Sequence, residues 1–230
     1  DRAVRVCYPG GGILRRWYDP AGNVIKICSP TQYDKITDNG AGYSYEYDSM
    51  GRVVQETAPD RTVLWRYVYD LRGNLLKIIS AKGMATGSTD EERTGSLYTY
   101  NRLGWLMESR IPVSIQDNEI QYRLTKYKYD KAGNRIQERR FCEYQTKDSE
   151  GGIVHTINYT YDADDRLIQV SDCTGAVIEY RYDANNRRIF EKRRINDSAE
   201  QIFRYHYDAG GRLIELNRTA DKEGCGRGNV

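Results

Sequence analysis

Seven aspartates follow a tyrosine within one recurring unit, at Asp19, Asp48, Asp70, Asp130, Asp162, Asp183 and Asp208. A carboxylate so placed can serve as a general acid or base, ligate a cation or cap a turn. Each occupies the same local position ahead of a turn-forming stretch, which favours capping over catalysis. Asp162, Asp164 and Asp165 resemble part of a calcium loop, but the glycine and terminal glutamate that such a loop needs are missing at the required spacing. His155 and His206 have no nucleophile motif beside them, and His206 falls at a polar alternate position of a strand, where a surface imidazole is expected. Two histidines exclude a His-rich zinc site, and Cys7, Cys28, Cys142, Cys173 and Cys225 form no CxxC pair and no small-domain disulfide framework. Serine and cysteine nucleophile signatures are absent. The expectation is no enzyme activity, no metal and no cofactor.

The elements that position these aspartates repeat. Tyr-Asp or its near variant occurs at Tyr18-Asp19, Tyr47-Asp48, Tyr69-Asp70, Tyr100-Asn101, Tyr129-Asp130, Tyr161-Asp162, Tyr182-Asp183 and Tyr207-Asp208, at spacings of 29, 22, 31, 29, 32, 21 and 25 residues. Such recurrence is the signature of a repeat architecture. Four residues after each tyrosine stands Gly22, Gly51, Gly73, Gly104, Gly133, Asp165, Asn186 or Gly211. All are residue types that tolerate positive φ. Asn, Arg or Trp follows, and then aliphatic residues such as Val53-Val54, Leu75-Leu76 and Leu213-Ile214.

A second tyrosine precedes the first by two residues in seven units, as Tyr45, Tyr67, Tyr98, Tyr127, Tyr159, Tyr180 and Tyr205. That spacing places both rings on one face of a β-strand, with a polar residue between them on the other in six of the seven units and Val68 in the remaining one. The aspartate and the left-handed residue then close a type I turn with a bulge, so each unit reads as a β-hairpin. Eight hairpins give roughly sixteen strands and, at about 4.8 Å each, a sheet roughly 75 Å wide, which strand twist must coil. The expected fold is all-β, a curved or spiralling antiparallel sheet. Residues 29–43, 80–96, 111–122, 143–153 and 194–200 read as insertions without helical periodicity, 80–96 being the clearest flexible loop, and 218–230 as an extended tail. No domain break stands out, so residues 1–230 read as one repeat domain.

Composition limits the partners. Tyrosine supplies 20 of 230 residues, against three Phe and three Trp, and the net charge of +2 gives no large positive field for nucleic acid. Arginines and lysines cluster at Arg139-Arg140, Arg187-Arg188 and Lys192-Arg193-Arg194, but acids lie among them, which fits a solvated face. Mean hydropathy is -0.78, and no apolar run reaches the length of a membrane span. Asp1–Tyr8 hold neither an initiator methionine nor a signal-like core, which reads as a processed or excised piece. Asn158-Tyr159-Thr160 and Asn217-Arg218-Thr219 match the glycosylation acceptor pattern, and little follows from such short matches.

From about residue 13 to 217 the chain resembles the Rhs or YD repeats of bacterial polymorphic toxins, of the cocoon-forming subunits of insecticidal toxin complexes, and of teneurins. The resemblance is carried by Tyr47-Asp48 through Gly51-Arg52, Tyr69-Asp70 through Gly73-Asn74, Tyr129-Asp130 through Gly133-Asn134 and Tyr207-Asp208 through Gly211-Arg212, with Tyr18-Asp19 through Gly22-Asn23. It implies a strip of sheet that spirals into a hollow shell, enclosing a toxin in bacterial members and supporting adhesion modules in teneurins. Asn101 in place of Asp, and Asp165 and Asn186 in place of Gly, depart from the pattern while keeping its turn logic. A complete shell takes many more than eight repeats, so this chain is expected to form one arc. The family's self-cleaving region uses paired Asp-Pro-x-Gly-like motifs; here Asp19-Pro20-Ala21-Gly22 occurs once, and autoproteolysis by this chain is not expected.

The expected function is therefore a secreted or cell-surface shell segment that encloses or presents an associated polypeptide such as a toxin. Its partners would be the rest of the shell or neighbouring copies, meeting it at open sheet edges. The alternative is an adhesion or carbohydrate-binding surface that uses the tyrosine ladder. Rings packed between strands favour the first reading, and rings free in a groove favour the second.

Overall fold

The computed structural model describes residues 4–116, 119–141, 154–195 and 200–220. Cys142, Cys225, the insertion 143–153 and the tail from 221 lie outside the described residues, as do residues 196–199 of the insertion 194–200. The described chain is almost wholly β and divides into two compact units: residues up to Gly104 with Ser109–Tyr122, and Trp105–Glu108 with residues from Arg123 onward.

In the first unit, β1 (Arg5–Cys7), β2 (Ile13–Tyr18) and β3 (Val24–Cys28) are followed by β6 (Tyr43–Tyr47), β7 (Val53–Thr57), β8 (Val63–Tyr69), β9 (Leu75–Ser80) and β10 (Ser96–Tyr100). Each pairs antiparallel with the next in this series. The expected insertion 29–43 contains a small ladder, β4 (Tyr33–Asp34) with β5 (Asn39–Gly40). The loop expected at 80–96 departs from its reading. It opens with the helical turn α1 (Ala81–Met84), capped where the Ser80 hydroxyl accepts from the Gly83 amide. Asp90 then ties the loop to β8 through Arg66 and to Arg93, while its carbonyl accepts from the Lys77 ammonium.

The expected insertion 111–122 is corrected too: its described residues lie within β11 (Leu106–Gln116) and β12 (Glu119–Tyr129). Ile111, Val113 and Ile115 alternate with Arg110, Pro112 and Ser114, the two-residue period of a strand.

The second unit continues from β12 through β13 (Arg135–Phe141), β14 (Val154–Tyr161), β15 (Leu167–Asp172), β16 (Val177–Tyr182), β17 (Arg188–Arg194), β18 (Gln201–Tyr207) and β19 (Leu213–Ala220), again pairing in order. β19 runs three residues past the repeat boundary expected at 217. The largest fully buried side chains are Ile79, Leu124, Glu191 and Cys28. Two-sided hairpins leave most other residues half-buried, so the tyrosine faces do much of what a central core does elsewhere.

Candidate functional site: the inter-repeat joints

Each aspartate of the repeat sits at a turn held by two main-chain bonds. In the first, the Asp19 amide donates to the Asn23 carbonyl and the Gly22 amide to the Asp19 carbonyl; the same pair recurs at Asp48, Asp70, Asp130, Asp162, Asp183 and Asp208. At Asn101 the Gly104 amide likewise donates to the Asn101 carbonyl. The strand register slips by one residue at the tyrosine of these hairpins, as between Lys128 and Tyr129, which is the bulge that such a turn produces. The closing residue needs positive φ. It is +99° at Gly133, +59° at Asp165 and +62° at Asn186, so the non-glycine occupants adopt the same conformation.

The carboxylate completes the cap. At Asp48, Oδ1 accepts from the amides of Met50 and Arg52, and Oδ2 accepts from Arg52 Nε at 2.6 Å. Asn replaces Arg in other units, as where Asn74 Nδ2 reaches Asp70 Oδ2 at 2.8 Å. These bonds favour the charged form. The Arg52 side chain holds Asp48 below the usual carboxylate range, Asn23 does so for Asp19, and the backbone amides of Arg187 and Arg212 lead the same effect at Asp183 and Asp208.

The tyrosine of the Tyr-Asp pair reaches back to the preceding repeat. Tyr47 Oη donates to the Val24 carbonyl, Tyr69 to Val53, Tyr100 to Leu75, Tyr129 to Leu106, Tyr161 to Arg135, Tyr182 to Leu167 and Tyr207 to Arg188, at 2.8 to 3.1 Å. In every case the acceptor is the second residue after the previous turn's closing position. The arginine after that closing position reaches forward. Arg52, Arg166 and Arg187 donate Nη1 to the carbonyls of Asp70, Asp183 and Asp208. Their guanidiniums lie 4.6, 5.4 and 5.0 Å from the ring centroids of Tyr69, Tyr182 and Tyr207. Trp105 stands in this place in the fourth repeat and packs on Tyr129 with centroids 5.4 Å apart.

The earlier tyrosine of each pair meets a carboxylate in three repeats. Tyr67 Oη donates to Glu56, Tyr205 to Glu191 and, at a longer 3.4 Å, Tyr159 to Glu138. Glu191 is 1% exposed, bonded to Arg193 and paired with Arg188 at 3.1 Å, and Arg188 lies over both Tyr180 and Tyr205. Glu138 repeats the arrangement with Arg140, Arg135, Tyr127 and Tyr159. Burial, then the bond to Glu56, pushes the Tyr67 phenol up to about 12.

Sequence reasoning missed these three glutamates, although all stand five residues after a closing position. It also missed two return turns that lack the tyrosine. Asp172 caps one that closes at Gly175, with φ +87°, and Arg61, with φ +71°, closes the other. Asp172 also pairs with His155 at 3.1 Å. His206, the other histidine, stands exposed on β18. Asp162 and Asp164 share Arg166 as a partner. Among the described residues no group of three or more His, Cys, Asp or Glu is arranged to hold a metal. Cys28 is buried, its thiol donates to the Ala41 carbonyl, and burial raises its pKa; Cys7 and Cys173 are exposed.

Comparison with known proteins gives the pattern a family. Teneurin-1 of Gallus gallus is 26% identical over 207 residues, a match covering 90% of this chain and 7% of that protein. The probable deoxyribonuclease RhsA of Dickeya dadantii (strain 3937) is 26% identical over 220 residues, covering 94% of this chain and 14% of that protein. The double-stranded DNA deaminase toxin A of Burkholderia cenocepacia (strain H111) is 26% identical over 179 residues, covering 73% and 11%. The chain thus spans only a small part of the length of these relatives. Among solved structures, TcdB2-TccC3 without its hypervariable C-terminal region aligns with 93% of this chain and 13% of its own, at a TM-score of 0.47 and 16% identity. The model of the teneurin YD-shell family matches residues 15–223, and the chain belongs to that family.

Proposed function

We propose that these repeats form a wall segment of a secreted or cell-surface YD shell, curved into one arc, that encloses or presents an associated polypeptide and carries no catalysis of its own. The observation that carries this reading is the tyrosine ladder. Seven hydroxyls are committed to carbonyls of the preceding repeat, so the aromatic groups serve the joints between hairpins. An adhesion or carbohydrate-binding face would need rings and hydroxyls free to meet a ligand. The matches to a toxin and a probable nuclease support an enclosed toxic polypeptide as cargo.

Limited proteolysis of the full-length polypeptide that contains these repeats tests the proposal. The segment enclosed by the wall should survive protease at levels that digest the same segment alone. Equal digestion rates in the two settings would refute enclosure.

A further inference from the structure

The loop between β9 and β10 is tied down at several points, and it walls a pocket. The Ser80 hydroxyl caps α1, the Thr94 amide donates to the Thr86 hydroxyl at 2.6 Å, and Asp90 pairs with Arg66 and Arg93. At Gly83 and Gly95 the chain packs so closely that a Cβ would lie 2.1 Å from the Thr94 carbonyl oxygen and 2.5 Å from that of Ile78. Cross-strand pairing sets Trp65 beside Ser80 and Ile78 beside Ser96. With β11 and β12 these residues line a pocket of about 210 Å³ inside the first unit, room for about seven waters. Its walls are mainly apolar, formed by Trp65, Ile78, Val113, Ile115 and Ile120. Trp65, Val113 and Ile115 are 42%, 40% and 62% exposed, so these walls are open to a ligand. Lys82 also lines the pocket, and among the described residues no acceptor meets its ammonium. The other cations around the loop are engaged, Arg66 and Arg93 by the Asp90 carboxylate and Lys77 by the Asp90 and Glu91 carbonyls.

We infer that this pocket binds a small apolar carboxylate, with its hydrocarbon body against Trp65 and the aliphatic walls and its charged end on Lys82. Apolar walls with a few polar groups that fix orientation are the make-up of a small-ligand site. Burial of the hydrocarbon supplies the affinity. The ammonium selects the sign of the head group, and no carboxylate lines the pocket to repel an anion. The volume limits the ligand to a short chain or a single ring. The site is independent of the wall reading, because neither enclosure of a polypeptide nor its failure alters the pocket.

Titration calorimetry of the full chain with octanoate, and with octan-1-ol as its uncharged counterpart, tests the inference alongside tryptophan emission. Octanoate should bind saturably and shift the emission. Trp65→Phe should abolish that shift, although Trp17 and Trp105 remain. Lys82→Met changes an exposed side chain and keeps an apolar stem. It should weaken octanoate binding about three- to fivefold, the scale of one exposed ion pair, and leave octan-1-ol binding unchanged. Added salt should weaken octanoate binding alone. The inference would be overturned by no saturable binding of octanoate, by octan-1-ol binding as tightly as octanoate, or by an octanoate affinity indifferent to Lys82→Met. An emission shift that survives Trp65→Phe would place the ligand elsewhere and overturn it too. So would self-association of the chain that Ile115→Ser abolishes, since a second copy would then fill the pocket.

Discussion

Arg187 binds its own aspartate through Nε, at 2.7 Å from Asp183 Oδ2, and the next repeat's aspartate through Nη1, at 3.2 Å from the Asp208 carbonyl. One side chain thus caps a turn and fastens its neighbour. An asparagine at this position is too short to cross to the next main-chain carbonyl, and where it does reach the next turn it does so side chain to side chain, as Asn134 Nδ2 donates to Asp165 Oδ1 at 2.6 Å. The Arg-type joints at Arg52, Arg166 and Arg187 thus use both the tyrosine and an arginine-to-carbonyl bond, whereas the Asn134 joint uses the tyrosine and a bond to the Asp165 carboxylate.

Arg187→Asn should therefore preserve the turn and loosen the joint. We expect a loss of about 0.5–1 kcal/mol, the scale of one hydrogen bond together with a partly exposed cation–π contact. Hydrogen exchange should accelerate in β18 and β19 and remain unchanged in β15. Uniform acceleration would assign Arg187 to the general stability of the unit.

Glycines at equivalent turns should differ in their tolerance of alanine. A Cβ on Gly133 would lie 3.0 Å from the Trp105 ring with φ at +99°, whereas Gly175 has φ +87° and open space around it. Gly175→Ala should cost about 1 kcal/mol from backbone strain alone. Gly133→Ala should cost about 1–2 kcal/mol more, because it also displaces the indole, and should shift tryptophan emission. Equal melting temperatures for the two variants would show that the ring yields without cost.

Glu191 is buried between Arg188, Arg193 and the Tyr205 hydroxyl. Removing it leaves two half-exposed guanidiniums and a phenol without their common acceptor. Glu191→Ala should lower stability by about 2–3 kcal/mol, below the full penalty for breaking a buried pair because both arginines reach water. Glu179→Ala, on the opposite face of the hairpin, should change stability by less than about 0.5 kcal/mol. Chemical denaturation of both variants makes the comparison.

Stability should fall at both extremes of pH. Asp19, Asp48, Asp183 and Asp208 are held below the ordinary carboxylate range by their turns. Their contribution is complete above about pH 4 and is lost as pH drops toward the folded-state values. Tyr67 behaves in the opposite sense. With its folded value near 12, its contribution is complete below about pH 10 and disappears as pH rises toward 12. Denaturation midpoints should form a plateau between these limits, and Tyr67→Phe should remove part of the alkaline decline.

The hairpins were legible because their determinants are local. Tyr, Asp and a residue tolerant of positive φ recur at fixed offsets, and a turn is closed within six residues. The joints were less legible because the tyrosine acceptors are main-chain carbonyls, which leave no trace in side-chain identity. Glu56, Glu138 and Glu191 resemble ordinary polar strand residues until pairing brings each beside a tyrosine of the next strand. Residues 111–122 were obscured by Pro112 and the absence of a Tyr-Asp pair, although their alternation is that of a strand. The short helix at Ala81–Met84 is one turn long and carries no periodicity to detect.

Cryo-electron microscopy of the full-length polypeptide, at a resolution that fixes tyrosine hydroxyls, measures the joints directly. The account predicts that Tyr47, Tyr69, Tyr100, Tyr129, Tyr161, Tyr182 and Tyr207 each lie within hydrogen-bonding distance of the preceding repeat's carbonyl, in a wall surrounding a separate polypeptide. Hydroxyls turned to solvent or to a bound glycan, with no enclosed chain, would contradict it.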